Sequence, residues 1–249
     1  MKPLLEVCCG DIESVRAANA GGAGRIELCS ALADGGVTPS AGLIMRAVEV
    51  SEIPVNVLIR PRGGDFLYTA DEVAIMIDDI NMCRSLDADG VVIGALTSDG
   101  HIDIDTVARL MEAAGGMSVT FHRAFDMCRS ASDGLNELIR LGCNRVLTSG
   151  QHASALKGID VLRSLRTQAE GRILILAGAG INADAARQII ATGAADEVHA
   201  SCRRPVSSLM QWRRDDVSMG APGVDEFSRL VTSAEEVKSI VNIISQYNL

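Results

Sequence analysis

Two apolar runs near the N-terminus, Leu4-Leu5-Glu6-Val7-Cys8 and Arg25-Ile26-Glu27-Leu28-Cys29, each carry a glutamate followed two positions later by a cysteine. Side chains alternate between the faces of a strand, so within each run the carboxylate and the thiol point the same way. An acid on the apolar side of a sheet is costly unless it has a partner or a task. Later runs repeat the insertion with Asn56 and Arg60, Thr120 and His122, and His199 and Ser201. With all these parities facing one lumen, two carboxylates, one guanidinium and two imidazoles converge at one end of the sheet. Glu6 or Glu27 then serves as acid/base, with His122 as its complement and Arg60 as the anchor for an anion. The alternative is an ion-pair cluster in which Glu6 and Glu27 neutralise Arg60 and merely fill the interior.

Other candidates sit at the ends of apolar runs. In Arg60-Pro61-Arg62-Gly63-Gly64-Asp65 the guanidinium forks suit carboxylate or phosphate, although Arg62 also has Asp65 or another surface acid within reach as an ion-pair partner. Arg123 and Asp126, close to His122, form a second self-contained pair. Gly178-Ala179-Gly180 and Ser149-Gly150 are short turns whose free amides fit an anion, or simply a tight connection. Arg62, Ser149, Gly178, Gly180, His199 and Ser201 are accordingly the candidate ligand-binding residues. Cys8 and Cys29 share parity on adjacent strands, about one strand spacing apart. Two such thiols suit a soft ion such as Cu(I), and two inert buried thiols read equally well.

The elements that must position these groups are eight short apolar runs: Leu4–Val7, Arg25–Cys29, Val55–Arg60, Gly90–Ala95, Ser118–His122, Arg145–Thr148, Ile173–Ala177 and Glu197–Ala200. Helical stretches separate them. Thr69-x-x-Glu72 and Ser233-x-x-Glu236 read as capping boxes, each ahead of an apolar stripe, and Asn182 reads as a helix N-cap. Strict alternation, with no second composition class and no proline-rich linker, predicts a single (β/α)8 TIM barrel over residues 1–249. A doubly wound sheet would need a Gly-rich loop after the first strand, which Cys8-Cys9-Gly10-Asp11 does not supply, and no organic cofactor is expected. Two long segments, Ser30–Ser40 and Ser201–Ser233, follow strand ends on the face where barrels place their chemistry.

With 32 Asp and Glu against 23 Lys and Arg, the chain carries a formal charge of −9, which argues against a nucleic-acid partner. No apolar run is long enough to span a bilayer, so no membrane association is expected. No secretory leader is expected ahead of Leu4. The 7 cysteines are odd in number and irregularly spaced, which fits a reducing compartment better than a disulfide framework. A soluble cytoplasmic protein is the expectation.

The runs Leu5–Cys8, Gly22–Cys29, Gly35–Gly42, Ile59–Phe66 with Tyr68, Thr120–Asp126, Leu147–Gly150, Ala177–Gly180 and Glu197–Ser201 together resemble the CutC copper homeostasis family over essentially the full length. The resemblance implies a TIM barrel, a cytoplasmic homo-oligomer (dimer or tetramer), and copper binding through Cys8 and Cys29. The sequence therefore supports two readings. In one, a copper-binding protein uses Cys8 and Cys29, with His122 or His199 completing the site. In the other, a barrel enzyme acts on a small phosphorylated or carboxylated metabolite. A scaffold whose Arg203-Arg204 and Trp212 serve an oligomer contact is a third and weaker reading.

Overall fold

Residues 3–214, 216–217 and 225–247 are described in a computed structural model. Eight parallel strands close into a barrel: β1 (Leu4–Cys9), β2 (Arg25–Leu28), β3 (Val55–Leu58), β4 (Gly90–Ile93), β5 (Ser118–Phe121), β6 (Arg145–Thr148), β7 (Leu174–Ala177) and β8 (Glu197–Ala200), with β8 pairing back onto β1. The helices between them are α1 (Ile12–Gly21), α2 (Ala41–Val50), α3 (Ala70–Ser85), α4 (Ile104–Ala114), α5 (Ala131–Leu141), α6 (Ile159–Ala169) and α7 (Ala183–Ala191), and α8 (Ala234–Ile244) closes the ring. This is the TIM-barrel architecture that the alternating pattern predicts.

Local signals explain where the helices begin. Asp11 accepts the Ser14 N–H at 2.7 Å ahead of α1, and Asn182 accepts the Ala185 N–H at 2.9 Å ahead of α7. The capping box at Thr69 and Glu72 forms with both hydrogen bonds in place. Behind it Val73, Met76 and Ile80 are buried against the barrel, and fully burying each such side chain is worth roughly 1.5–3 kcal/mol. Ser233 is the N-cap of α8, but its hydroxyl makes no capping hydrogen bond and its N–H donates to the Cys202 carbonyl at 2.8 Å, in place of the capping box.

The two faces of the strands have separate fates. Leu5, Val7, Ile26, Leu28, Val57, Val91, Ile93, Val119, Phe121, Val146, Ile175 and Val198 belong to one large apolar core beneath the helices. The opposite parity faces the lumen. There Cys8, Cys29, Leu58 and Val92 form a small separate apolar cluster, and the remaining lumen positions described below are largely polar. TIM-barrel interiors are usually layers of branched apolar side chains, so this interior departs from its architecture's habit.

The segment after β8 is not the open loop that its composition predicts. Arg203–Ser207 (β9) and Ser228–Thr232 (β10) pair as an antiparallel ribbon, and Thr232 ties it to α1 through the Ser14 hydroxyl at 3.1 Å. Positions 215 and 218–224 of this segment lie outside the described residues. No described helix is long and apolar enough to cross a membrane.

Candidate functional site

The floor of the site is an ion-pair lattice that only the barrel lumen can hold. Arg25 on β2 donates from Nε to Glu6 on β1 at 2.5 Å, and its Nη2 and Nη1 reach Glu197 on β8 at 2.5 and 3.3 Å. Strands β2 and β8 are not neighbours, because β1 lies between them. Their side chains therefore meet only across the interior. Arg145 on β6 reaches Glu197 across β7 in the same way, at 3.4 Å, and donates to Ser118 at 2.7 Å. Glu6 is fully buried. Burial pushes its carboxyl upward, but Arg25 and His199 outweigh it and hold the pKa at about 2. Glu6 is thus a fixed anion.

This arrangement corrects the pairing alternative raised by the sequence. The cation that neutralises Glu6 is Arg25, not Arg60. Arg25, Arg145 and Glu197 carry the same inward parity as Glu27, Leu147 and His199, two positions earlier on the same strands.

One layer higher, His199 Nδ1–H donates to Glu6 Oε1 at 2.8 Å, and Nε2 lies 3.7 Å from Glu27. Burial pulls the imidazole downward, but Glu27, the Cys8 thiol and Glu6 overcome it and hold the pKa well above the usual histidine range. Glu27 has no arginine in direct contact among the described residues. Burial raises its pKa above that of an ordinary carboxyl, against the pull of His199. The two glutamates thus differ: Glu6 is locked ionised, and Glu27 is the basic one. Cys8 Sγ, Glu27 and His199 offer ligand atoms all within 4.8 Å of one another, and Cys29 Sγ lies 3.3 Å from Cys8 Sγ. The Cys29 thiol, burial and the Glu27 charge together raise the Cys8 thiol well above the usual cysteine range.

Above this layer a pocket of about 510 Å3 opens at the C-terminal ends of the strands, lined among others by Cys8, Glu27, Cys29, Arg60, His122 and His199. Of the other sequence candidates, Gly180 and Ser201 also line it, as do Arg123 and Arg203. Arg60 spends Nη1 on the carbonyls of Asp34 and Gly36 at 3.0 and 2.8 Å, and Nη2 on that of Gly64 at 2.7 Å. Five donors less these three leave two, and Nε–H has no acceptor among the described residues. The residue is only 6% exposed and makes no ion pair among the described residues. Its charge is pinned by neutral carbonyls and left uncompensated. Buried charges are ordinarily paired.

His122 ends β5 and caps the short turn Arg123–Met127, with Nδ1 accepting the Ala124 N–H at 3.1 Å. Nε2 is buried without a partner among the described residues. Burial, with the Arg60 guanidinium nearby, pushes the ring's pKa down to about 3. The Phe66 ring contacts both groups, with its centroid 5.1 Å from the Arg60 guanidinium and 5.1 Å from the imidazole centroid. Position 94 must be glycine, because a Cβ there would overlap the His122 ring. Across the pocket, Ala179 and Gly180 take left-handed backbone conformations, φ 80° and 72°. Such strain in a non-glycine residue concentrates at functional sites.

Four sequence candidates fall outside the pocket lining: Glu6, which lies in the floor beneath it, and three others. Arg62 pairs with Glu72 at 2.5 Å and with Asp65 at 3.2 Å on the surface, as its bland reading has it. Ser149 is buried and donates to the His152 carbonyl at 2.5 Å. Gly178 packs on Leu147, where a Cβ would collide at 2.5 Å. Asp126, half of the expected pair with Arg123 (2.7 Å), also accepts from Thr148, Ser149 and Gln151, which fixes the loop after β6.

The model of the CutC family matches residues 3–204, which takes in every strand of the barrel. The chain belongs to the CutC family. A CutC family protein of Bacteroides thetaiotaomicron is 48% identical over 245 residues, 98% of each chain. A CutC family protein of Chromobacterium violaceum is 47% identical over 240 residues. A solved Streptococcus agalactiae CutC, assigned by name to copper homeostasis, superposes with a TM-score of 0.77 at 33% identity, covering 81% of this chain and 99% of its own. N-(5'-phosphoribosyl)anthranilate isomerase from Pyrococcus furiosus, at 14% identity and TM-score 0.57, shares the fold alone. The CutC assignment thus gives the barrel and a link to copper homeostasis by name, while the Cys8, Glu27 and His199 cluster is where a metal would find ligands.

Proposed function

We propose that this CutC barrel is an enzyme that performs acid–base chemistry on a small anionic metabolite at its C-terminal mouth. The observation that carries the reading is the buried, uncompensated Arg60 in the same pocket as the Glu27–His199 couple. A cation held there by three backbone carbonyls lacks a carboxylate that a ligand can supply. Arg203, whose Nε is likewise unpartnered and which lines the same pocket, adds positive charge at the rim. Glu27, with its raised pKa and an imidazolium beside it, is poised to exchange a proton with a bound ligand. Metal-free acid–base chemistry needs nothing further from the site.

Calorimetric titration with inorganic phosphate tests the anion site. Arg60→Met and Arg203→Met are each expected to weaken phosphate binding by about tenfold or more, the loss of one good charge-assisted contact, with circular dichroism unchanged. Absence of phosphate binding to the wild-type protein, or binding indifferent to both substitutions, would overturn the reading.

A second reading is favoured by one observation, the thiol, imidazole and carboxylate atoms within 4.8 Å of one another. Here the site holds copper through Cys8 with His199, and Cys29 as the adjoining thiol, as the name of the Streptococcus agalactiae relative suggests. The donor set partly fits. Thiolate and imidazole are copper ligands, but the Glu27 carboxylate is not what Cu(I) selects. At a metal–sulfur bond of about 2.3 Å, sulfurs 3.3 Å apart subtend an angle of roughly 90° at the ion. Linear two-sulfur coordination would need the pair to open by about 1.3 Å on the same bond length. Binding would also have to expel a proton from a Cys8 thiol whose pKa is raised. Metal analysis of protein purified under reducing, copper-replete conditions separates the readings. Stoichiometric copper that disappears in a Cys8→Ser, Cys29→Ser double variant supports the second, and equal copper in both forms removes it.

A further inference from the structure

Building on the acid–base reading, we infer that the substrate is an α-hydroxy carbonyl compound carrying an anionic group, and that the His122 Nε2–H polarises its carbonyl while Glu27 takes the proton from the adjacent carbon. The inference starts from the hydrogen bonding of one ring. His122 Nδ1 accepts the Ala124 backbone N–H at 3.1 Å. An amide N–H only donates, so Nδ1 carries no proton, and the neutral ring must hold its proton on Nε2. That Nε2–H is buried, and it has no acceptor among the described residues. The residue is 5% exposed, lines the pocket, and is clamped between Phe66, Phe121 and Gly94.

A general base would present a bare nitrogen to the ligand, and this ring presents a fixed N–H. A buried donor without an acceptor is costly in the free protein. A ligand oxygen that gains negative charge in the transition state removes that cost and is stabilised as the charge grows. A neutral imidazole suits this role, as in sites where a histidine held neutral at the start of a helical turn polarises a carbonyl. Burial keeps the ring unprotonated, and the Arg60 charge nearby reinforces it.

The step balances without a co-reactant. The C–H bond next to the carbonyl breaks and its proton passes to a Glu27 carboxylate oxygen. The C–H electron pair forms the carbon–carbon double bond, and the carbonyl π pair moves onto oxygen, where the His122 N–H receives it. Return of the proton to the former carbonyl carbon, as the hydroxyl proton crosses to the adjacent oxyanion and the hydroxyl oxygen becomes the new carbonyl, gives the isomer. Arg60 and Arg203 hold the anionic end throughout.

The test compares three probes by calorimetry: inorganic phosphate, glycerol 3-phosphate, and phosphoglycolohydroxamate, whose planar hydroxamate mimics an enediolate. The hydroxamate is expected to bind at least about tenfold tighter than glycerol 3-phosphate, the value of one hydrogen bond to a charged oxygen. His122→Ala should abolish that advantage, and His122→Gln, which restores an N–H donor, should recover part of it. Glycerol 3-phosphate should bind both variants within about twofold of wild type. A hydroxamate no tighter than glycerol 3-phosphate, or an advantage that survives His122→Ala, overturns the inference and leaves the anion site standing. Failure of all three probes, phosphate included, overturns both. Should His122→Ala not fold, the Nε2–H resonance of 15N-histidine-labelled wild type decides: a downfield shift on adding the hydroxamate supports the inference, and an unmoved resonance sinks it.

Discussion

Replacing Arg25 with methionine is expected to remove at least about 3–5 kcal/mol of stability, the cost of breaking a buried ion pair from one side. Among the described residues, Arg25 is the only cation that contacts both Glu6 and Glu197, through contacts of 2.5 Å to each. Without it, Glu6 keeps only His199 at 2.8 Å, and Glu197 keeps only Arg145 at 3.4 Å. Both carboxylates remain in a lumen with almost no access to water. Their choice is to stay ionised without compensation or to take up protons, and either route weakens folding. Adding Glu6→Gln to Arg25→Met should therefore recover part of the loss, with a coupling of about 1–3 kcal/mol between the two sites. Urea denaturation of the two single variants and the double variant measures this directly. A single-variant loss below about 1 kcal/mol, or strict additivity, would mean that the lattice is not what holds the floor of the barrel.

How far the sequence carries this picture depends on whether each feature is written in spacing or in backbone shape. The eight strands were legible because each is a short apolar run. The lumen position of Cys8, Glu27, Cys29, His122 and His199 was legible because a period of two assigns faces. The same parity would have revealed Arg25, Arg145 and Glu197, had it been followed back to the first residue of each run. Arg25, Arg145 and Glu197 open their runs, one layer below the strand-end positions that the polar motifs mark. The partners of Arg60 were beyond reach in principle, since Asp34, Gly36 and Gly64 contribute carbonyl oxygens, which every residue has. Only the path of two loops selects them. The ribbon β9–β10 was missed because Arg203-Arg204-Pro205 lacks strand alternation and pairs only with its own return strand. The direction of the His122 proton was hidden for a related reason. Its donor is the backbone N–H of Ala124, whose side chain says nothing about it.

That hidden proton has a consequence in acid. The wild-type protein is expected to lose about 2–3 kcal/mol more than a His122→Gln variant between pH 6.5 and pH 4.5, at about 1.4 kcal/mol per pH unit. The sign follows from where protons bind. In the folded state burial, with Arg60 nearby, holds the His122 pKa at about 3 against an ordinary 6.5. Between those values the unfolded chain carries a proton on this ring that the native state does not. Acid therefore favours unfolding, and the loss begins as pH drops through 6.5. His199 does not contribute in this window. Its folded pKa lies above 6.5, so it is protonated in both states there, and the stability it adds fades only at higher pH. Glu27, raised by burial, works in the opposite direction, because its native form takes up a proton earlier than the unfolded chain does. That contribution is common to both proteins and cancels in the comparison. Glu6 enters lower, between 4.5 and about 2, where protonation of the unfolded chain adds a second acid-driven loss in both. Urea midpoints taken at half-unit steps should diverge between wild type and His122→Gln from pH 6.5 downward. Parallel curves would show that the imidazole is free to protonate in the folded barrel, and would remove the neutral donor on which its place beside a carbonyl depends.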